Sequence, residues 1–153
     1  EMLQHQRRTI TKRILNAYID AEKDPQLKLK VAVRTHLYLS EIMQPWFYFA
    51  YMETKNLSKR QQEMAIASEL YTEKIFLDIL GQGHRQGCFQ VDDCQLTASA
   101  IKAMLQDWYL KRWKYAKRKI SVDQYAQFVL ELLERFILHT NNNAHRKRSH
   151  HEN

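Results

Sequence analysis

The sequence predicts an all-α protein, an antiparallel helical bundle of about six helices. Apolar residues recur at three- and four-residue steps over most of the chain, which is the spacing of amphipathic helices. Only 3 Gly and 2 Pro occur among 153 residues, too few for the many turns of a β-sandwich or β-barrel. No segment has a convincing strand pattern. The length and a hydrophobic content of 44 % indicate one domain with its own core.

Polar caps and prolines delimit the first three helices. The first is predicted over residues 1 to about 23. Asp24 then precedes Pro25, an N-cap followed by the residue preferred in a first helical turn, so a second helix should run from there to about residue 44. Pro45 opens a short third helix, 46 to about 55. Because this helix is nearly all apolar, we expect it to be buried.

Three longer helices follow. A Ser-x-x-Gln capping box at Ser58 begins the fourth, which ends in the segment 81–87 that holds every glycine of the chain. The fifth is predicted from about 94 to 119, and a second capping box at Ser121 begins the last, which ends near residue 139. Residues 1–139 form the predicted domain. Residues 140–153 are polar, basic and His-rich, which predicts a disordered tail.

The fifth helix is apolar on two opposite sides, which predicts a homodimer. One stripe holds Ile101, Leu105 and Trp108, and the other holds Leu96, Ala100, Ala103 and Leu110. A domain of six helices covers one side from within, and a four-helix contact with a second copy would cover the other. The alternative is a central helix buried inside one chain. The candidate dimer residues are Leu105, Trp108, Phe128, Leu132 and Phe136.

The aromatic residues of the third helix are compatible with core packing or with the wall of an apolar pocket. On the pocket interpretation, the candidate ligand-binding residues are Trp46, Phe49, Tyr71 and Trp108. Trp108 belongs to both candidate sets because the pattern does not decide which way it faces.

The net charge of +7 is concentrated in two segments. Residues 111–119 carry six positive charges interleaved with two aromatics, and the tail carries most of the remaining surplus. One interpretation is a site for phosphate groups or a nucleic-acid backbone. The other is a solvated helix end, where cations are favoured by the helix dipole.

Several classes of site are not expected. The glycines lack the strand–turn–helix context of a phosphate-binding loop and fit a helix end that needs a positive φ. No His or Cys spacing predicts a metal site, and no pattern indicates catalysis, so we expect no metal, no cofactor and no enzyme. Cys88 and Cys94 suggest no disulfide framework, and the longest apolar run, 46–52, is too short to span a membrane. A cytoplasmic location is therefore expected.

The order of these elements resembles the C-terminal ligand-binding and dimerisation domain of the TetR family of bacterial transcriptional regulators. The resemblance lies in the Asp24-Pro25 break, the short helix after Gln44-Pro45, the segment 83–89, the Asp92-Asp93 start, Ala98-Ser99-Ala100-Ile101, Trp108-Tyr109-Leu110 and the opening of the last helix at 120–125.

The resemblance implies a homodimeric repressor in which a small-molecule effector modulates DNA binding by an N-terminal helix-turn-helix domain, which is absent from these residues. Trp108-Tyr109 and the last capping box are similar to the branch that regulates fatty-acid metabolism, whose effectors are fatty acyl-coenzyme A (acyl-CoA) thioesters. The alternative function is a helical module that binds protein or nucleic acid through the basic face 111–119.

Overall fold

The computed structural model describes residues 2–138, except the side chains of residues 2–5, 7, 8, 54 and 55. The tail predicted over 140–153 lies outside the described residues. Within them the fold is all-α, as predicted, with seven α-helices and one short 3₁₀ helix. These are α1 Met2–Asp20, α2 Pro25–Ile42, α3 Gln44–Met52, the 3₁₀ helix Glu53–Asn56, α4 Lys59–Arg85, α5 Cys94–Leu110, α6 Arg112–Lys117 and α7 Val122–Leu138.

The predicted helix starts are confirmed at the level of individual hydrogen bonds. The Asp24 carboxylate accepts from the Gln26 N–H at 2.9 Å, which satisfies a free backbone donor of the first turn of α2. At Ser58 both halves of the capping box form: the side chain accepts from the Gln61 N–H at 3.3 Å, and the Gln61 side chain accepts from the Ser58 N–H at 3.0 Å. Ser121 forms the second box in the same way.

The helix predicted from 94 to 119 is two helices, α5 and α6. The chain leaves the helical conformation at Lys111, where φ is −118° and ψ is 37°. This break lets Tyr115 return to stack on Trp108, with ring centroids 5.1 Å apart. In a straight helix the two residues would be about 10 Å apart along the axis, because each residue rises about 1.5 Å. Tertiary packing of an aromatic pair therefore outweighs local helix propensity here.

The expectation that the third helix is buried is wrong. No residue of α3 is fully buried, and its larger side chains are 42–49 % exposed at Trp46, Tyr48, Phe49, Tyr51 and Met52. Phe47 is the residue of α3 that packs against the core. The apolar composition predicted burial, but α2 and α5, which α3 contacts, cover Phe47 and leave its other large side chains exposed among the described residues.

The core lies around α5, which packs against α2 and α4, while α2 also packs against α1 and α7. Fully buried residues come from four helices and include Val33, Leu37, Phe76, Leu80, Ile101, Leu105, Trp108, Val129 and Ile137. Among the described residues, the stripe of Ile101, Leu105 and Trp108 is covered. On the other stripe Leu96, Ala100 and Ala103 are exposed and Leu110 is partly buried. None of the described helices is both long and apolar enough to cross a membrane.

Candidate functional site

A cavity of about 190 Å³ lies between the first five helices. Its walls are mostly apolar, with a few polar groups, which is the usual composition of a small-molecule site. The lining residues are Thr11, Lys12 and Leu15 of α1, His36 of α2, Met43, then Trp46, Phe47, Ala50 and Tyr51 of α3, Ala65, Ile66, Ser68, Glu69 and Thr72 of α4, and Lys102, Gln106 and Tyr109 of α5.

The apolar wall is built mainly by α3. Phe47 is partly buried, and its ring forms T-shaped contacts with His36, at a centroid distance of 5.8 Å, and with Tyr109, at 5.2 Å. Trp46 and Tyr51 lie at the rim and remain partly exposed to solvent. The aromatic character of α3 therefore serves the cavity wall and its rim.

The polar end of the cavity holds two buried basic side chains, Lys102 and His36. Their exposures are 8 % and 2 %, and Lys102 Nζ lies 3.4 Å from His36 Nε2. His36 Nδ1 is buried and has no hydrogen-bond partner among the described residues. The ion pairs formed within residues 2–138 do not include Lys102. A buried base with unfilled hydrogen-bonding capacity marks a candidate functional group.

Burial changes the protonation of both groups. It lowers the pKa of Lys102 to about 8, although the negative charges of Glu69 and Glu73 act in the opposite direction. Burial, followed by the positive charge of Lys102, lowers the pKa of His36 well below its ordinary value. At neutral pH the site therefore presents an ammonium group beside a neutral imidazole.

A protein-family model described as the tetracyclin repressor-like C-terminal domain matches residues 22–137. The chain belongs to this family. It is thus the C-terminal domain of a TetR-family transcriptional regulator, and the family expected from the order of its helices is confirmed. None of the curated proteins compared with the chain matches it.

Two solved structures share the fold of this TetR domain. A transcriptional regulator of the TetR/AcrR family from Thermobifida fusca YX-ER1 superposes with a TM-score of 0.72 at 14 % identity, covering 86 % of this chain and 69 % of that one. A bacterial regulatory protein in the TetR family from Rhodococcus RHA1 superposes with a TM-score of 0.68 at 19 % identity, covering 86 % of this chain and 72 % of that one.

The structure places one of the four predicted ligand residues, Trp46, in the cavity wall of the TetR domain. Phe49 is 45 % exposed and is not a lining residue. Tyr71 lies outside the lining, where its hydroxyl accepts from Asn16 at 2.6 Å and its ring lies 4.5 Å from Lys12 Nζ. Tyr71 therefore joins α1 to α4 beside the cavity.

The fourth predicted ligand residue, Trp108, is fully buried away from the cavity. Its ring lies about 5.1 Å from Tyr115 and Tyr125, and its Nε1 donates to the Glu41 carboxylate at 2.9 Å. The same carboxylate receives two N–H groups of Arg112. Trp108 thus serves the core of the domain.

Sequence reasoning missed the two buried basic residues of the cavity, His36 and Lys102. A signal for them was present, because Lys102 follows buried Ala98 by four residues and precedes buried Leu105 by three. On α2, His36 follows buried Ala32 by four residues and buried Val33 by three. A polar residue at a core-facing position of a helix is uncommon, and this signal would have identified His36 and Lys102 as candidate functional residues.

The five predicted dimer residues divide into two groups. Leu105 and Trp108 are fully buried within the chain. Phe128, Leu132 and Phe136 are 60 %, 41 % and 62 % exposed, and their spacing of four residues places them in one stripe along α7.

The basic segment 111–119 is partly neutralised by neighbouring acids. Arg112 forms a bidentate contact with Glu41 at 2.8–2.9 Å, and Lys114 pairs with Asp107 at 2.9 Å. Lys111 also lies 3.9 Å from Asp107. None of residues 111–119 lines the cavity. Among the side chains that the structure describes, no cluster of three or more His, Cys, Asp or Glu could hold a metal ion.

Proposed function

We propose that this TetR domain binds a small effector with an apolar or acyl chain in the cavity, and that binding modulates DNA recognition by an N-terminal helix-turn-helix domain of a repressor. The observation that carries the proposal is the cavity itself, which combines an aromatic wall on α3 with a buried polar end at Lys102. An apolar chain would bury surface against α3, and the polar end would orient the ligand.

The proposed coupling runs through α1. This helix is the described helix nearest the N-terminus, and it supplies three lining residues of the cavity, Thr11, Lys12 and Leu15. A ligand that binds the domain more tightly when α1 has one placement than when it has another shifts the population toward the first placement. By linkage, the factor by which the ligand changes the affinity for DNA equals the factor by which DNA changes the affinity for the ligand.

The cavity volume limits the acyl ligand. About 190 Å³ is smaller than the roughly 300–1,000 Å³ that is usual for drug-sized ligands, so a short or medium chain suits it best. A fatty acyl-CoA thioester is one form of this ligand. Its acyl chain would occupy the cavity, and its phosphates would remain outside. None of residues 111–119 lines the cavity, so this basic segment would not contact the acyl chain.

A thermal-shift panel of fatty acids, matched alcohols and acyl-CoA thioesters tests the proposal. A ligand at about 100 times its Kd adds roughly 2.7 kcal/mol to the free energy of unfolding, which raises Tm by about 5–10 °C. Ala65→Phe should abolish the shift by filling the cavity, whereas Ala67→Phe, exposed on the same helix, should preserve it. A panel without any response would refute the proposed function.

We also propose that the domain is a homodimer through the exposed faces of α5 and α7. The exposed stripe of Phe128, Leu132 and Phe136, together with Leu96 at 69 % exposure, supplies apolar surface for a second copy. Leu105 and Trp108 are fully buried within the chain and would not contribute to this surface.

Light scattering measures the proposed assembly directly. The wild type should have twice the 18.4 kDa mass of one chain, and Phe128→Glu combined with Leu132→Glu should shift it to monomer. Ile42→Glu introduces one such charge at an apolar residue that is 80 % exposed on α2 and should leave the mass unchanged. A wild-type monomer at micromolar concentration would contradict the dimer.

A further inference from the structure

The unpaired ammonium of Lys102 at the polar end of the cavity indicates the chemical class of the ligand. We propose that the effector is a monocarboxylate whose anionic head binds Lys102 inside the cavity while its apolar tail lies along α3. This inference rests on the proposed function of the same cavity and adds the identity of the ligand's buried end.

The first support is the absence of an acidic partner for Lys102 in the described part of the chain. The two carboxylates that influence it, Glu69 and Glu73, belong to α4 and accept hydrogen bonds from Gln106 at 2.8 Å and Ser99 at 2.5 Å. Neither forms an ion pair with Lys102. An ammonium group has three donors, and a buried charge is costly unless it is paired, so a ligand anion would complete this site.

The second support is the arrangement around Lys102. His36 Nε2 lies 3.4 Å from the Lys102 ammonium and contacts it from α2. The neutral imidazole accepts a hydrogen bond but does not neutralise the charge. Met43, Phe47 and Trp46 line the same cavity and offer an apolar surface to the rest of the ligand.

The third support is the match between charge and volume. The charged lining residues are Lys12, Glu69 and Lys102, and Lys102 is the buried one of the three. One buried ammonium in about 190 Å³ suits a singly charged carboxylate with a short or medium tail. A phosphate or pyrophosphate head would bring at least one further charge, and phosphate sites are commonly built with several donors such as Arg forks or helix N-termini. A thioester carbonyl would accept a hydrogen bond from Lys102 but would leave its charge unpaired.

The binding of the carboxylate should depend on pH. The ionisable groups near Lys102 from the surrounding helices are Lys12, His36, Tyr51, Glu69, Glu73 and Tyr109. Because the pKa of Lys102 is lowered to about 8, the free domain loses the ammonium as the pH rises from 7 to about 9.5. The ligand carboxylate stays ionised over this range, so its affinity should fall.

Calorimetric titration of the full chain with octanoate, octanol and octanoyl-CoA tests the inference. At about pH 7, octanoate should bind about 10-fold or more tightly than octanol, the range expected for one hydrogen bond to a charged group. Lys102→Met should remove this preference, whereas Lys117→Met, at an exposed position outside the cavity, should preserve it. At about pH 9.5 the wild-type preference should shrink toward that of Lys102→Met.

The outcomes separate this inference from the proposed function. Equal binding of octanoate and octanol by the wild type, or an octanoate preference that survives Lys102→Met, overturns the carboxylate site while leaving an apolar effector possible. Binding of octanoyl-CoA alone has the same meaning. If none of the three ligands binds, both proposals fail. The pH comparison on the wild type decides the question even if Lys102→Met does not fold.

Discussion

Gly83 in α4 is a position where one added methyl group should destabilise the domain. A Cβ built there would lie 2.0 Å from Cδ2, 2.4 Å from Cε2 and 2.6 Å from Cγ of Phe89, a buried ring. Ordinary carbon contacts are about 3.5–4.0 Å, so Gly83→Ala requires a displacement of about 1.5 Å. Phe89 is held in place because its N–H donates to the Gly83 carbonyl at 3.0 Å. The next residue, Gln90, donates to Ile137 at 2.9 Å.

The expected loss follows from two opposing effects. Alanine is favoured over glycine inside a helix by roughly 1 kcal/mol. Overpacking a core costs about 1–3 kcal/mol, and displacing the whole Phe89 ring approaches the roughly 3–5 kcal/mol of a Phe→Ala change. We therefore expect Gly83→Ala to lower the free energy of unfolding by about 2 kcal/mol.

Urea unfolding followed by tryptophan fluorescence measures this loss. Gly81→Ala is the matched control, because its Cβ would meet only the flexible end of Arg85, at 3.2 Å, and should be neutral or stabilising by up to about 1 kcal/mol. In the double variant Gly83→Ala with Phe89→Ala, the two losses should not add, since the clash disappears. Equal stability of Gly83→Ala and Gly81→Ala would refute the reasoning.

Three further predictions concern buried polar groups. Lys102→Met should raise the free energy of unfolding at about pH 7 by about 1–3 kcal/mol, because a buried ammonium with a lowered pKa is replaced by an apolar chain; urea unfolding that gives an equal or lower value contradicts this. The free energy of unfolding of the wild type should fall as the pH drops below about 6.5, because His36 takes up a proton in the unfolded chain but stays neutral when buried. His36→Phe should flatten this part of the measured dependence of stability on pH. Glu41→Gln should cost about 1–2 kcal/mol, because the charge that accepts from Trp108 and Arg112 is lost; an unchanged Tm would show that these bonds contribute nothing.

The helix starts and the family could be predicted because their signals are local. The Asp24 and Ser58 caps require residues only two or three positions apart, and the structure contains the expected hydrogen bonds. The positive φ expected in the glycine segment occurs at Gly87, at 75°. The close approach of Gly83 to Phe89 is a packing requirement between different elements, and nothing in the local spacing indicated it.

The errors share one physical cause. The apolar residues of α3 predicted burial, but burial depends on what other helices cover. In the described part of the chain most of the large side chains of α3 remain 42–49 % exposed. No glycine or proline in the sequence indicates the α5–α6 break at Lys111. The break is stabilised by the stacking of Tyr115 on Trp108. In both cases, contacts between separated parts of the structure determined the result.

The sequence by itself determined that this chain is an all-α domain of the TetR family, because periodicity, caps and the order of helices are written along the chain. Only the tertiary structure decided which apolar stripe of α5 is covered and which residues form the cavity. Lys102 and His36 are 66 positions apart, and their meeting depends on how α2 and α5 pack. Local spacing determines on which face of its helix a side chain lies, whereas the packing of the helices determines which other element that face contacts.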